Sequence, residues 1–332
     1  MNIIPITEFI RHSRCILAEG AVIERLRRSS GFALDPHIVN SAFIYEEGRR
    51  KTIESIYRQY LDIGYQYGLP LMLSTPTWRA SRERITDAGF AGRDVNADNF
   101  RFLDALRRQY GTYAQNVVIA GLLSCRGDAY KPNEALGISE AKEFHSWQAA
   151  KLMQAGVDFL LAATLPALSE ATGLAAALAA SGKPYLVSFI ARPEGTLLDG
   201  TPLKDAIDAI DNAVRPEPLA YLINCTHASI FKAALLHDSN SSPVVRRRII
   251  GLLANTAALN PEELDNSAAL VEEAPETFGE TLTGLYKKLG LKVLGGCCGT
   301  DDRHIHSLAK RLAAVSQPEQ GHDHIPGDPG LQ

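Results

Sequence analysis

Short apolar runs alternate with longer amphipathic stretches along most of the chain. Eight runs are candidate strands: Cys15 to Ala18, Leu69 to Leu73, Val117 to Leu123, Val157 to Ala163, Tyr185 to Ile190, Ala220 to Ile223, Ile249 to Leu253 and Leu291 to Leu294. Each is close to continuously apolar instead of alternating with polar residues, the pattern of parallel strands covered on both faces. The stretches Glu140 to Gln154, Ser169 to Ala180, Leu203 to Ala213 and Phe278 to Lys288 carry helical spacing and helix-forming residues. Turn signals separate the two kinds of segment, as in Ser181-Gly182-Lys183-Pro184 and Leu198-Asp199-Gly200-Thr201-Pro202. Eight alternations of strand and helix predict a single-domain α/β chain folded as a (β/α)8 TIM barrel over residues 1–316, with an open doubly wound sheet as the alternative. Residues 317–332, rich in proline, glycine and polar groups, are expected to form a disordered tail, because they offer too little apolar surface to offset ordering.

With 332 residues, 45% of them hydrophobic, the chain can bury a core of that size. A formal charge of -4 without clustered lysine or arginine argues against nucleic acid or an anionic membrane as the main partner and towards small molecules. No run approaches the roughly 18 apolar residues of a membrane span. Met1 to Arg14 is interrupted by Glu8, Arg11 and Arg14, unlike a secretory signal. Five cysteines, an odd number in a long chain, do not read as a disulfide framework, which places the expected protein in the reducing cytoplasm. Nothing in the sequence fixes an oligomeric state, a homo-oligomer included.

Three of those cysteines stand where chemistry is expected. Cys297 and Cys298 lie in Gly295-Gly296-Cys297-Cys298-Gly299-Thr300, directly after the last apolar run, and Cys225 follows the sixth in Leu222-Ile223-Asn224-Cys225-Thr226-His227. In a barrel both positions open on the catalytic face, so three sulfurs from strands six and eight can converge on one ion. Zinc with three protein ligands keeps a fourth position open, and an all-sulfur set suits a thiol as the incoming ligand. The bracketing glycines fit a tight bend that aims two neighbouring side chains together. Two other readings are a Cys297–Cys298 redox couple, disfavoured by the strained ring that adjacent cysteines form, and simple burial of small apolar side chains.

The Gly-Gly-Cys-Cys-Gly-Thr run resembles the mark of the homocysteine S-methyltransferases. The resemblance extends over nearly the whole chain, through Ile223-Asn224-Cys225-Thr226-His227, Asp199-Gly200-Thr201-Pro202-Leu203, Ala155-Gly156-Val157-Asp158, Tyr60 to Gly64, Ser74 to Ser81 and His304-Ile305. It implies a (β/α)8 barrel with catalytic Zn2+ on Cys225, Cys297 and Cys298, and transfer of a methyl group from a small donor to a thiol such as homocysteine, giving methionine in that case. It also implies substrate contacts from Glu19, Gly20, Thr75 and Asn224. The expected partners are the thiol acceptor and the methyl donor, with a homo-oligomer possible and neither nucleic acid nor membrane among them.

The chain leaves the family pattern at two places. The usual Asp-Gly after strand one is Glu19-Gly20, which keeps the carboxylate one methylene further out, and the usual Glu-Thr-Ile-Pro after strand four is Ala163-Thr164-Leu165-Pro166. The missing glutamate is the one that holds the amino group of homocysteine, a charge-assisted bond on the order of 1.5–3 kcal/mol. Either Glu19 takes over the ammonium or the acceptor is a different thiol; a third alternative is a non-catalytic zinc or thiol-binding barrel. Cys125, after strand three, is expected to be a loop thiol, Cys15 to lie at the opposite face, and His227 and His304 to be structural.

Overall fold

The computed structural model describes residues 4–28, 31–259 and 272–316. In chain order its helices and strands are α1 (Ile6–His12), β1 (Ile16–Ala18), α2 (Ile23–Arg28), α3 (Glu47–Tyr67), β2 (Leu71–Ser74), α4 (Arg82–Asp87), α5 (Val95–Arg108), β3 (Val117–Leu123), α6 (Ile138–Ala155), β4 (Phe159–Leu165), α7 (Leu168–Ala180), β5 (Tyr185–Phe189), α8 (Leu203–Ala213), β6 (Ala220–His227), α9 (Ala228–Leu236), α10 (Pro243–Arg248), β7 (Ile249–Asn255), α11 (Pro275–Leu289), β8 (Val293–Gly296) and α12 (Asp302–Ser316). The strands form a closed parallel barrel in sequence order, sealed where Ile16 pairs with Val293 and Leu17 with Leu294. All eight expected strands are present, and closure excludes the open sheet. The expected tail lies outside the described residues.

Alternation within each strand explains the continuous apolar runs. Ile16, Met72, Val118, Phe159, Leu161 and Leu222 share one buried cluster, while their neighbours Leu17, Leu71, Leu73, Val117, Leu160 and Ile223 belong to a second that includes the helix residues Leu61, Leu152 and Leu308. The first fills the barrel and the second joins it to the outer helices, so neither face can be polar. Full burial of one such side chain contributes about 1.5–3 kcal/mol.

α1 was not foreseen from the sequence. Its Ile6 and Phe9 join the inner cluster, and Lys292, just ahead of β8, donates from Nζ to the carbonyl of Ile10 at 2.8 Å. The helix therefore plugs the barrel at the N-terminal ends of the strands, leaving the opposite end for ligands. Among the described residues no helix is long and apolar enough to cross a membrane.

Candidate metal centre

Cys225 does not terminate its strand as the sequence suggests. β6 runs on to His227, and its pairing with β7 slips between Asn224 and Thr226, so Cys225 sits in a bulge with φ at +50°. A bulge re-aims a side chain, and a left-handed non-glycine residue stores strain on the order of 1–3 kcal/mol. Thr164, at φ +63°, occupies a matching slip between β4 and β5. Asn224 joins the two irregularities: its Oδ1 accepts from Thr164 N at 2.9 Å and from Ser188 Oγ at 2.6 Å, while its Nδ2 donates to Thr164 Oγ1 at 2.8 Å. The polar side chain inside the barrel is thus satisfied by the bulges it stabilises.

Cys297 and Cys298 begin the loop after β8. Cys297 N donates to the Ala254 carbonyl at 2.7 Å, Cys298 N to Asn255 Oδ1 at 3.1 Å, and Thr300 Oγ1 to the Cys297 carbonyl at 2.7 Å. The end of β7 therefore braces both cysteines. Gly299 has φ +83°, and a Cβ there would stand 1.8 Å from Thr256 Oγ1; at Gly296 a Cβ would stand 2.2 Å from Thr300 Oγ1. Glycine is required on both sides of the pair by crowding, and at Gly299 by backbone conformation as well.

These supports bring the three sulfurs together. Cys225 Sγ lies 2.7 Å from Cys297 Sγ and 3.9 Å from Cys298 Sγ, and all three fall within 4.8 Å of one another. Hydrogen bonds from Cys225 and Cys298 hold the Cys297 thiol well below its usual range. The Cys225 thiol is pushed up by its bonds to Cys297 and Cys298 and by burial. At Cys298 the bond with Cys225 works downward, but the bond with Cys297 and burial prevail and raise it to about 12. Three thiolates this close repel one another, so each sulfur's ionisation depends on the other two.

A cavity of about 820 Å³ opens over the sulfurs at the C-terminal ends of the strands. Glu19, Gly20, Thr75 and Asn224 all line it, as does Ala163. Burial pushes the Glu19 carboxyl up to about 8, against hydrogen bonds from Ser74, and its Oε2 is shielded from solvent without a hydrogen-bond partner. The Thr75 hydroxyl is already engaged: it meets Thr77 Oγ1 at 2.7 Å and accepts from Leu122 N at 3.0 Å. Asn224 is likewise occupied with the bulges.

Two cavity residues escaped the sequence reading. Asn255, the polar residue closing an apolar run, braces Cys298 and leaves its buried Nδ2 without a partner. Its position at a strand end was a usable signal. Tyr130 lies in the β3–α6 loop and lines the same cavity as the three sulfurs. Its proximity to Cys225, then burial, pushes its phenol upward.

Other groups are placed elsewhere. Cys125 is buried with its Sγ near the carbonyls of Gly127 and Thr164, outside the trio, and Cys15 is buried just ahead of β1. His227 caps α9 through Nδ1, which accepts from Ser229 N at 3.2 Å. His304 is buried between Asp301 Oδ1 and the Glu273 carbonyl, both at 2.9 Å. Glu272 and Asp301 approach the same histidine, but Arg303 already pairs with both acids.

Comparison with known proteins agrees with this architecture. A family model described as homocysteine S-methyltransferase matches residues 16–312. Homocysteine S-methyltransferase YbgG of Bacillus subtilis is 25% identical over 320 residues, covering 92% of this chain and 96% of that protein. Homocysteine S-methyltransferase of Escherichia coli is 24% identical over 331 residues, covering 92% and 98%. The metallated crystal structure of MmuM from Escherichia coli shares the fold, with a TM-score of 0.70 at 21% identity over 93% of this chain and 100% of that one. The chain belongs to the homocysteine S-methyltransferase family and is an S-methyltransferase.

Proposed function

We propose that Cys225, Cys297 and Cys298 hold one zinc ion and that the enzyme transfers a methyl group from a small onium donor to the sulfur of homocysteine, yielding methionine. The observation that carries this reading is the convergence of three sulfurs from two strand ends within 4.8 Å. Sulfurs 2.3 Å from a tetrahedral ion stand about 3.8 Å apart. The Cys225–Cys298 separation of 3.9 Å has that spacing, and Cys297 lies closer. A divalent cation among them also offsets the repulsion between three adjacent thiolates. Zinc bound there supplies the charge that keeps an incoming thiol ionised near neutral pH.

The chain's own groups do the rest. Glu19, with an unpartnered oxygen in the cavity, receives the substrate ammonium, while Asn224 and Thr75 keep the walls in place without touching it directly. The thiol proton leaves to solvent, a new carbon–sulfur bond forms, and the donor's carbon–heteroatom bond breaks with its electron pair going to the formerly positive heteroatom. The cavity holds the two reactants in line, which supplies much of the rate. A reducing compartment such as the cytoplasm suits three free sulfurs.

Ala163 favours a second reading, in which the acceptor is a thiol without an amine at that place. One experiment separates the readings: zinc-loaded protein is offered betaine, S-methylmethionine or S-adenosylmethionine with homocysteine or with other thiols, and the thioether is followed by mass spectrometry. Methionine formation supports the first reading, and a thioether from other thiols alone supports the second. No thioether from any pair, with zinc bound, overturns both readings.

A further inference from the structure

The β3–α6 loop, residues 124–137, carries Tyr130 to the sulfur trio and is tied down from behind by a carboxylate that does not line the cavity. Glu170, fully buried on α7, accepts from Arg126 N at 2.6 Å through Oε1 and from Leu136 N at 3.2 Å through Oε2, gripping both ends of the loop. His145, on α6 and 1% exposed, donates from Nε2 to the same Oε1 at 2.9 Å. An ionised carboxylate only accepts hydrogen bonds, and the bonds from His145, Arg126 and Leu136 hold Glu170 below its usual range despite burial. Arg79, after β2, adds a second grip through Nη1, which donates to the carbonyls of Cys125 at 3.0 Å and Arg126 at 2.9 Å. Within the loop, Tyr130 N donates to Asp128 Oδ1 at 2.9 Å and Asp128 N to Glu134 Oε2 at 3.0 Å.

A buried charge is costly unless it is fully bonded, and here two of its three bonds go to the backbone of a loop. We propose that Glu170 and His145 are positioning residues for the reaction, acting through the 124–137 loop to hold Tyr130 in the wall of the cavity over the sulfurs. Tyr130 is part of the wall of the cavity that the three sulfurs also line, so its placement shapes access to them. The inference rests on the sulfur trio being the reacting centre, but part of its test does not.

The test compares Glu170→Gln, Tyr130→Ala and the double variant of the full chain. Glu170→Gln is expected to lower kcat/KM for methyl transfer about tenfold in the wild-type background and less than twofold in the Tyr130→Ala background. In metal-free protein, iodoacetamide should alkylate Cys298 several-fold faster in each single variant, and the double variant should match Tyr130→Ala. Equal losses in both backgrounds, or a lowered melting temperature with alkylation unchanged, would overturn the proposal. If Glu170→Gln does not fold, His145→Asn replaces it with the same expectations. If no methyl transfer is found at all, the proposed function fails and the alkylation series alone decides whether Glu170 controls Tyr130.

Discussion

The Asn224 amide grips Thr164 by two hydrogen bonds, from Thr164 N to Oδ1 at 2.9 Å and from Nδ2 to Thr164 Oγ1 at 2.8 Å, and so couples the bulge that aims Cys225 to the one beside Ala163. Both bulge residues are left-handed, and neither is glycine. The coupling offsets their strain inside the barrel.

Asn224→Ala should therefore destabilise the chain by about 2–4 kcal/mol, the range for leaving buried partners of a hydrogen-bond network unpaired. Urea unfolding measures the loss. Zinc affinity should fall as well, since Cys225 is no longer held in its left-handed conformation, and competition with a chromogenic chelator reads that change.

Zinc content should be near one ion per chain and should vanish in Cys298→Ala, with methyl transfer reduced at least a thousandfold. Removing the metal from the wild-type chain should lower its melting temperature, because an ion whose Kd lies a thousandfold below its free concentration adds about 4 kcal/mol to stability. Metal analysis and differential scanning calorimetry check the two outcomes.

Glu19 gives a pH signature whose sign follows from its raised folded value of about 8 against an ordinary 4.5. The native state retains a proton that the unfolded chain releases, so this contribution to stability is complete below about pH 4.5 and is lost as pH rises through about 8. Glu19→Gln should abolish that decline. Only the ionised carboxylate holds an ammonium, so methionine binding to metal-free protein should strengthen up to about tenfold per pH unit between pH 6 and 8. Calorimetric titration of wild type and Glu19→Gln, the latter flat over that window, tests the assignment.

Ala163→Glu restores a carboxylate to the cavity wall. It should lower KM for homocysteine about tenfold with kcat little changed, the effect of one charge-assisted hydrogen bond made equally in ground and transition states. Steady-state kinetics on the variant reads this, and unchanged KM would favour the thiol without an amine.

The strands were legible because a parallel barrel buries both faces of every strand, which writes itself into the chain as runs such as Val117 to Leu123. The end of β6 was not, since Asn224, Cys225 and Thr226 interrupt the apolar run at the bulge where the chemistry lies. α1 was hidden by its brevity: in seven residues only Ile6 and Phe9 are buried. The positions of Cys297 and Cys298 followed from glycine and strand-end patterns. Tyr130 did not, because the bonds that bring it to the sulfurs come from residues 170 and 79, distant in sequence and without any local signal.

The plug formed by Ile6 and Phe9 makes the barrel floor hostage to a stretch of chain that belongs to none of the eight strands. A fragment starting at Ser13 would keep every sulfur and every cavity wall yet bare Phe159 and Met72 to water from below. Expression fragments trimmed there should aggregate, and affinity handles are better joined at the far end of the polypeptide.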